Sequence, residues 1–310
     1  MATRAPVVLF IYKRADHLYS TLTSLKRCNG FDGAPVIVFG DGPKTQGDSS
    51  AVAAARRVAQ EQLGQLAEYR FSEKNRGLSA SIIGGVEEVT TRYGRAIVVE
   101  DDLELSPSFL TYMNAALDKY ENKQRVYQIS GHTFSTPEFL NRDSAMFLPF
   151  TTSWGWATWR RAWDQFDPSA QGWEILRSDQ MLRKRFNLDG HYDYATMLER
   201  QMSGRGDSWG IRWYWSVFRN DGLACFPPAS LVRNTGMDGS GTHGRGLIRR
   251  FGRAGHTHSS DFIDLPSLIA VDDRDFAAVR YAIWAQNGGW IGALADRLRH
   301  RLNVALGKHK

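Results

Sequence analysis

Short apolar runs separated by polar turns and helical repeats fill the first hundred residues. Pro6 leads into Val7-Val8-Leu9-Phe10-Ile11-Tyr12, a run too short for a core helix and apolar on both faces. It predicts a strand buried inside a sheet. After Lys13 and Arg14 the spacing changes: Leu18, Leu22 and Leu25 recur at helical intervals behind Asp16, the expected cap. Pro35 opens a second strand, Val36-Ile37-Val38-Phe39, which stops at Gly40-Asp41-Gly42-Pro43. An Ala/Gln-rich helix is predicted over residues 49–66 and a third strand at Tyr69-Arg70-Phe71. Asn75-Arg76-Gly77 then turns into a helix carrying Leu78, Ile82, Val86 and Val89. The next strand, Ala96-Ile97-Val98-Val99, runs directly into Glu100-Asp101-Asp102. Ser106-Pro107 places a capping residue before a proline at the first helical position, and Phe109, Met113, Ala116, Leu117 and Tyr120 form the apolar face that follows.

Alternating strands and helices predict crossover units and an α/β fold: a mixed, mainly parallel central sheet flanked by helices. Ligands of such sheets bind beyond the carboxyl ends of the strands. Lys13, Arg14, Asp41, the Asn75 turn and the acids at 100–102 all stand at those ends and are expected to share one crevice. The second half is less regular. Trp154, Trp156, Trp159 and Trp163 cluster, as do Trp209, Trp213 and Trp215. Between the clusters, residues 173–203 read as helical, ending at Gly204. Residues 234–246 form a glycine-rich loop of the kind that carries function.

The 310 residues suffice for one large domain or a domain with a small lobe. A net charge of +6 suggests an anionic partner. Much of the excess lies in Arg297, Arg299, Arg301, Lys308 and Lys310, a basic tail more than a basic groove, and no nucleic-acid-binding motif accompanies it. Cys28 and Cys225 are too few and too far apart for a disulfide framework or a cysteine metal site. With no signal-peptide pattern and no run of about 20 apolar residues, a cytoplasmic location is expected.

The acids at 100–102 carry the most chemistry. Adjacent carboxylates at a strand end repel one another unless a cation joins them. A hard divalent ion, Mg²⁺ or Mn²⁺, completed by substrate phosphates is one solution, and a solvated turn opening the next helix is the other. Asp101 and Asp102 are candidate metal ligands, with His243 of the glycine-rich loop as a third; as an alternative, His243 is a plain loop residue. Arg14 offers a bidentate fork to phosphate oxygens, or a surface ion pair. Asp41 can accept from a base or ribose, although Asp-Gly-Pro is also turn chemistry. A transfer reaction needs a general base away from the metal, and Asp207 in Gly206-Asp207-Ser208-Trp209 is the choice, against a helix-capping role. Most tryptophans belong to the core, and Trp156 and Trp209 are the candidates to line an acceptor site by stacking on a sugar.

Taken in order, these segments resemble nucleotide-sugar-dependent glycosyltransferases of the GT-A fold, and more narrowly bacterial family-2-like sugar transferases related to eukaryotic N-acetylglucosaminyltransferase I. The likeness spans residues 5–246. Residues 7–14 resemble the family's first strand with its arginine, and Phe39-Gly40-Asp41-Gly42 its nucleotide-contacting strand end. Asn75-Arg76-Gly77-Leu78 resembles the turn before the donor-site helix, in its bacterial rather than its eukaryotic form. Residues 96–105, AIVVEDDLEL, resemble the metal strand. Residues 153–159, SWGWATW, resemble the acceptor-side tryptophan segment. Asp207-Ser208-Trp209 resembles the catalytic-aspartate segment, with Ser208 where the eukaryotic form has a second acid, and residues 239–244 resemble a downstream Gly/His loop.

The resemblance implies a metal-dependent, inverting transferase of hexosyl or N-acetylhexosaminyl units from a nucleotide-diphosphate sugar, UDP favoured, to a glycan, glycolipid or glycoprotein hydroxyl in polysaccharide assembly. It implies that Asp102, with His243, holds Mn²⁺ or Mg²⁺. Glu100, Asp101, Arg14, Asp41, Asn75 and Arg76 would contact the donor, and Asp207 would deprotonate the acceptor. The expected organisation is a domain over 1–246, with a nucleotide-sugar half (1–105) and an acceptor half (106–246), and a C-terminal extension over 247–310. In that extension Trp290, Ile291, Leu294, Leu298, Leu302, Ala305 and Leu306 recur at helical spacing among arginines. This predicts a basic amphipathic helix that either lies on an anionic membrane near a lipid-linked acceptor, making the protein peripheral on the inner membrane, or docks on the domain. Two other functions stay open. A sugar-nucleotide nucleotidyltransferase would want a glycine-rich loop where Tyr12-Lys13-Arg14-Ala15 stands, and a non-catalytic carbohydrate-binding protein would not need the acids.

Overall fold

The computed structural model describes residues 4–236, 263–287 and 289. In chain order the strands are β1 (Val7–Ile11), β2 (Val36–Gly40), β3 (Ala67–Phe71), β4 (Arg95–Glu100), β5 (Leu103–Leu105), β6 (Val126–Ser130), β7 (Met146–Leu148), β8 (Trp156–Trp159), β9 (Leu223–Phe226) and β10 (Val232–Asn234). The helices are α1 (Ala15–Lys26), α2 (Ser49–Leu63), α3 (Leu78–Tyr93), α4 (Phe109–Lys119), α5 (Arg160–Trp163), α6 (Ile175–Ser178), α7 (Gln180–Phe186), α8 (Tyr194–Met202), α9 (Trp209–Arg219) and α10 (Asp273–Gln286).

Eight strands form one sheet in the order β3-β2-β1-β4-β8-β6-β9-β7. Strands β3, β2, β1 and β4 are mutually parallel, in register Val7↔Val36 and Val7↔Ile97. Every residue of β1 is buried, because helices cover both faces. This explains why the strand reads as a continuous apolar run rather than an alternation. Strand β8 enters antiparallel between β4 and β6, and β7 closes the far edge antiparallel to β9. The predicted mixed, mainly parallel sheet is therefore present, and the carboxyl ends of β1, β2 and β4 lie side by side.

The local differences from expectation have simple causes. Helix α1 begins at Ala15, so Asp16 lies in its first turn and not at the cap. Helix α4 begins at Phe109 with Ser108 at its cap. The single helix expected over 173–203 is broken into α6, α7 and α8. Leu188 and Asp189 adopt left-handed backbone there, which no continuous helix accommodates.

The apolar side chains divide into two clusters. The larger lies around β1, β4, α1, α3 and α4, and includes Trp156, Trp163 and Trp213. The smaller joins Phe150, Phe186, Leu198 and Trp215 to Val279 and Ile283 of α10. Residues of the expected C-terminal extension are thus part of the domain: α10 fills a core, and Ser144 and Phe147 bridge to Asp264 and Val271. The basic amphipathic segment beyond residue 290 lies outside the described residues. No described helix is long and apolar enough to cross a membrane.

Candidate functional site

The ends of β1 and β4 bring Arg14 onto the acids. Its Nη2 donates to Asp101 Oδ1 at 2.6 Å and to Asp102 Oδ2 at 2.9 Å. Asp101 is tied further: its Oδ2 accepts from the Tyr12 backbone N–H at 3.1 Å, and its carbonyl accepts from Thr21 Oγ1 at 3.0 Å. Both aspartates are buried. Arg14 is therefore the cation that lets adjacent carboxylates sit at a strand end. Its expected fork toward a phosphate is, in this arrangement, turned onto the acids. Burial works against the Arg14 charge, but Asp101 and Asp102 outweigh it and hold the guanidinium above its ordinary range. Asp101 is raised, by burial first and by Asp102, with Arg14 opposing. Glu100 is raised to about 8, by burial and then by the charges of Asp102 and Asp101. Of the three acids, Glu100 is the one whose charge is opposed by burial and by both neighbouring carboxylates together.

The ribbon of β5 and β10 delivers another part of the chain to the same spot. Asn234 pairs with Leu103. Thr235 then donates from its N–H (2.8 Å) and its Oγ1 (3.0 Å) to the Asp102 carbonyl, and its Oγ1 meets His17 Nδ1 at 3.1 Å. Gly236 lies flat on the ion pair: a Cβ there would overlap Asp102 Oδ2 and Arg14 Nη1. The glycine-rich segment thus starts against the acids. His243 itself lies outside the described residues.

Asp41, at the end of β2, is an anchor. Its Oδ1 accepts from the N–H groups of Gly42 (2.9 Å) and Arg76 (2.8 Å). Its Oδ2 accepts from Asn75 Nδ2 (3.0 Å) and the Gly77 N–H (2.9 Å). Asn75 Nδ2 also reaches the Gly42 carbonyl at 2.7 Å. The 75–77 turn is therefore built on Asp41, and Gly77 supplies its positive φ of 81°. Arg76 is exposed, and its guanidinium lies back along α3 near Gly84.

Asp207 is exposed and directly precedes Ser208, whose side chain caps α9 through the Ile211 N–H. The cap role weighed for Asp207 therefore belongs to its neighbour. A Cβ at Gly77 would stand 3.4 Å from Asp207 Oδ2, so the carboxylate faces the 75–77 turn across the crevice. Arg212, which reaches Ser79 Oγ on α3, feels the Asp207 charge as a raising influence against the burial that lowers it. Nothing in Gly-Ile-Arg-Trp marks this arginine in the sequence.

The two tryptophans separate. Trp156 is fully buried in β8 and cannot touch an acceptor, which corrects the reading from sequence. It backs Trp209, with ring centroids 5.1 Å apart and planes at 23°. Trp209 lines a cavity of about 420 Å³, together with His132, Thr133, Trp154, Ser208 and Asn234.

The acids offer the hard oxygen donors that Mn²⁺ and Mg²⁺ prefer. Among the described residues no three His, Cys, Asp or Glu side chains are grouped to hold a metal ion. The donor set fits an ion completed by ligand oxygens, not one enclosed by the protein.

Residues 86–193 match the model of the GNT-I family, a stretch that holds the acids and the first tryptophan cluster but neither Asp41 nor Asp207. The resemblance read from AIVVEDDLEL and SWGWATW is borne out over that stretch. An α-1,3-mannosyl-glycoprotein 2-β-N-acetylglucosaminyltransferase of Arabidopsis thaliana is 27% identical over 101 residues, 32% of this chain. The match spans 22% of that relative's length. Among solved structures, the mannosyltransferase PcManGT of Pyrobaculum calidifontis, in complex with GDP-Man and Mn²⁺, is 13% identical with a TM-score of 0.37, covering 71% of this chain and 74% of its own. The galactosyltransferase LgtC, in complex with donor and acceptor sugar analogues, is 11% identical with a TM-score of 0.38, covering 71% and 72%.

Proposed function

We propose that the protein is a metal-dependent, inverting glycosyltransferase that moves a sugar from a nucleotide-diphosphate donor to an acceptor hydroxyl. One observation carries the reading. Asp101 and Asp102, buried at the end of β4, lie within the GNT-I match and hold Arg14, at the same sheet edge as the Asp41-anchored turn that Asp207 faces.

In this reading the donor lies across the ends of β1, β2 and β4. The 75–77 turn, held by Asp41, shapes the floor for the nucleotide. Glu100 contacts a sugar or ribose oxygen of the donor, and Asp101 stays committed to Arg14 and the Tyr12 N–H. Asp102, with ligand oxygens and His243, would hold Mn²⁺ or Mg²⁺, which when bound supplies charge neutralisation for the leaving diphosphate. Asp207 takes the proton of the acceptor hydroxyl. The acceptor oxygen then bonds to the anomeric carbon from the face opposite the diphosphate. The old carbon–oxygen bond breaks, and its electron pair leaves with the diphosphate, so the configuration inverts. Arg14 compensates the acids whenever the divalent ion is away. UDP-sugars are the favoured donors, a glycan or lipid-linked sugar the acceptor, and the basic C-terminal segment the means of reaching an anionic membrane surface.

Incubation with a panel of UDP- and GDP-sugars and Mn²⁺, followed by mass spectrometry of nucleoside diphosphate release, tests this. Release from one donor, lost on chelation and in Asp207→Asn, is expected. A full panel left intact, with no nucleotide bound, would remove the reading.

A further inference from the structure

The cavity beside Trp209 has a wall chemistry of its own. Its aromatic surfaces include Phe134, Trp154, Tyr192, Tyr194 and Trp209. Among the described residues Arg233 is the one charged residue on its lining, and Glu104 pairs with it, Nε to Oε2 at 2.9 Å. The remaining polar lining is hydroxyl, amide and imidazole. A site without unbalanced charge does not repay the desolvation of an ionic ligand. Aromatic faces with scattered neutral hydrogen-bonding groups suit a ligand that has both an apolar face and hydroxyls.

Two polar groups on this wall have unused capacity. Thr133 is buried, and its Oγ1 has no hydrogen-bond partner. His132 is fixed in one tautomer by its neighbour. Ser230 Oγ spends its single proton on the Val232 carbonyl at 2.8 Å, so it can only accept from His132 Nδ1 at 3.1 Å. The imidazole is therefore Nδ1–H, and Nε2 carries a lone pair that no described residue uses. Phe134 and Trp154 pack on its ring at 5.0 and 4.6 Å, and burial pushes its pKa down to about 4, so it stays neutral. Ser208 and Asn234 on the cavity wall place it next in the chain to Asp207 on one side and to Thr235 and Gly236, which cover Asp102, on the other.

We infer that this cavity binds an uncharged glycoside, the sugar of the acceptor, with His132 Nε2 accepting from a sugar hydroxyl and Thr133 Oγ1 supplying a second hydrogen bond. The inference rests on the glycosyltransferase reading for its place in the reaction, and on the cavity alone for the binding. Sugar orientation then comes from the His132–Thr133 edge, and Asp207 is left free to take the proton of the reacting hydroxyl.

Gly210 gives a clean way to close the cavity. It lines the wall in the first turn of α9, and an added Cβ meets no atom within 4 Å. Gly210→Leu fills that space and also favours the helix. The test is saturation-transfer NMR on the full chain with neutral methyl glycosides and their 6-phosphates, run beside calorimetry of UDP and GDP with Mn²⁺. At least one neutral glycoside is expected to bind, its 6-phosphate at least tenfold more weakly. Gly210→Leu should abolish that signal, and Thr133→Val and His132→Phe should each weaken it about tenfold, all with unchanged nucleotide binding. The inference is overturned if no neutral glycoside binds while nucleotide does, if the phosphates bind better, or if Gly210→Leu binds like the wild type. Glycoside binding blocked by Gly210→Leu, without any nucleotide binding, would keep the cavity's role and remove the glycosyltransferase reading instead.

Discussion

Replacing Arg14 by methionine keeps the length of the side chain and removes the cation that Asp101 and Asp102 share. The side chains are 22%, 6% and 12% exposed, so the carboxylates cannot simply turn to solvent. Breaking a buried pair by deleting one partner costs about 3–5 kcal/mol. Because Arg14 keeps some solvent access, the lower end, about 3 kcal/mol, applies. At about 2.1 cal/mol/K per residue over 310 residues, that loss lowers the thermal midpoint by about 5 °C. The variant also has a rescue that an ordinary core defect lacks. If the acids form a divalent-ion site, Mn²⁺ takes over the role of the guanidinium, and ligand at about a hundred times its Kd restores about 2.7 kcal/mol. Calorimetric scans at pH 7, with and without Mn²⁺, give the readout. The midpoint of Arg14→Met should fall by about 5 °C and largely recover with Mn²⁺, while the wild type shifts less because its own cation competes. A variant as stable as the wild type, or one indifferent to Mn²⁺, would refute the reasoning.

Other substitutions separate the parts of the crevice. Asp207→Asn should leave nucleotide binding intact and reduce transfer by about a hundredfold or more, as expected for loss of a general base; undiminished turnover would assign the base elsewhere. Gly236→Ala puts a methyl group where Asp102 Oδ2 and Arg14 Nη1 lie. It should weaken Mn²⁺-dependent nucleotide binding measured by calorimetry, whereas an unchanged affinity would detach Gly236 from the site. The depressed pKa of His132 has a pH signature. The unfolded chain takes up its proton below about 6.5 and the folded protein only near 4, so the contribution is present above pH 6.5 and lost as pH falls toward 4. Burial alone drives this shift, no charged side chain contributing, and its upper bound is about 3 kcal/mol. The thermal midpoint of the wild type should fall relative to that of His132→Phe as pH falls through that window, and parallel curves would contradict it.

Much of the sheet was legible because burial on both faces leaves uniform apolar runs, as in Val7-Val8-Leu9-Phe10, and each run ends in a polar residue at the same edge. The crevice followed from that edge. Pairing was less legible. That three acids need a cation follows from electrostatics, but that Arg14 is one such cation depends on the register of β1 against β4. Asp41 reads as a ligand contact from its position, and only the structure reveals four donors already on it, three of them from the 75–77 turn. Trp156 and Trp209 look alike in the sequence, yet β8 turns one into the core while α9 leaves the other at a cavity wall. His132 has no sequence signal because Gly-His-Thr-Phe carries no spacing, and its meaning comes from Ser230, 98 residues away.

Calorimetry of UDP and GDP binding, with Mn²⁺ and with chelator, to the wild type, Asp102→Asn and Asp207→Asn tests the central claim most directly. Binding of one nucleoside diphosphate that needs Mn²⁺, disappears in Asp102→Asn and persists in Asp207→Asn is the predicted result. Binding that ignores the metal, or that survives equally in Asp102→Asn, would contradict it.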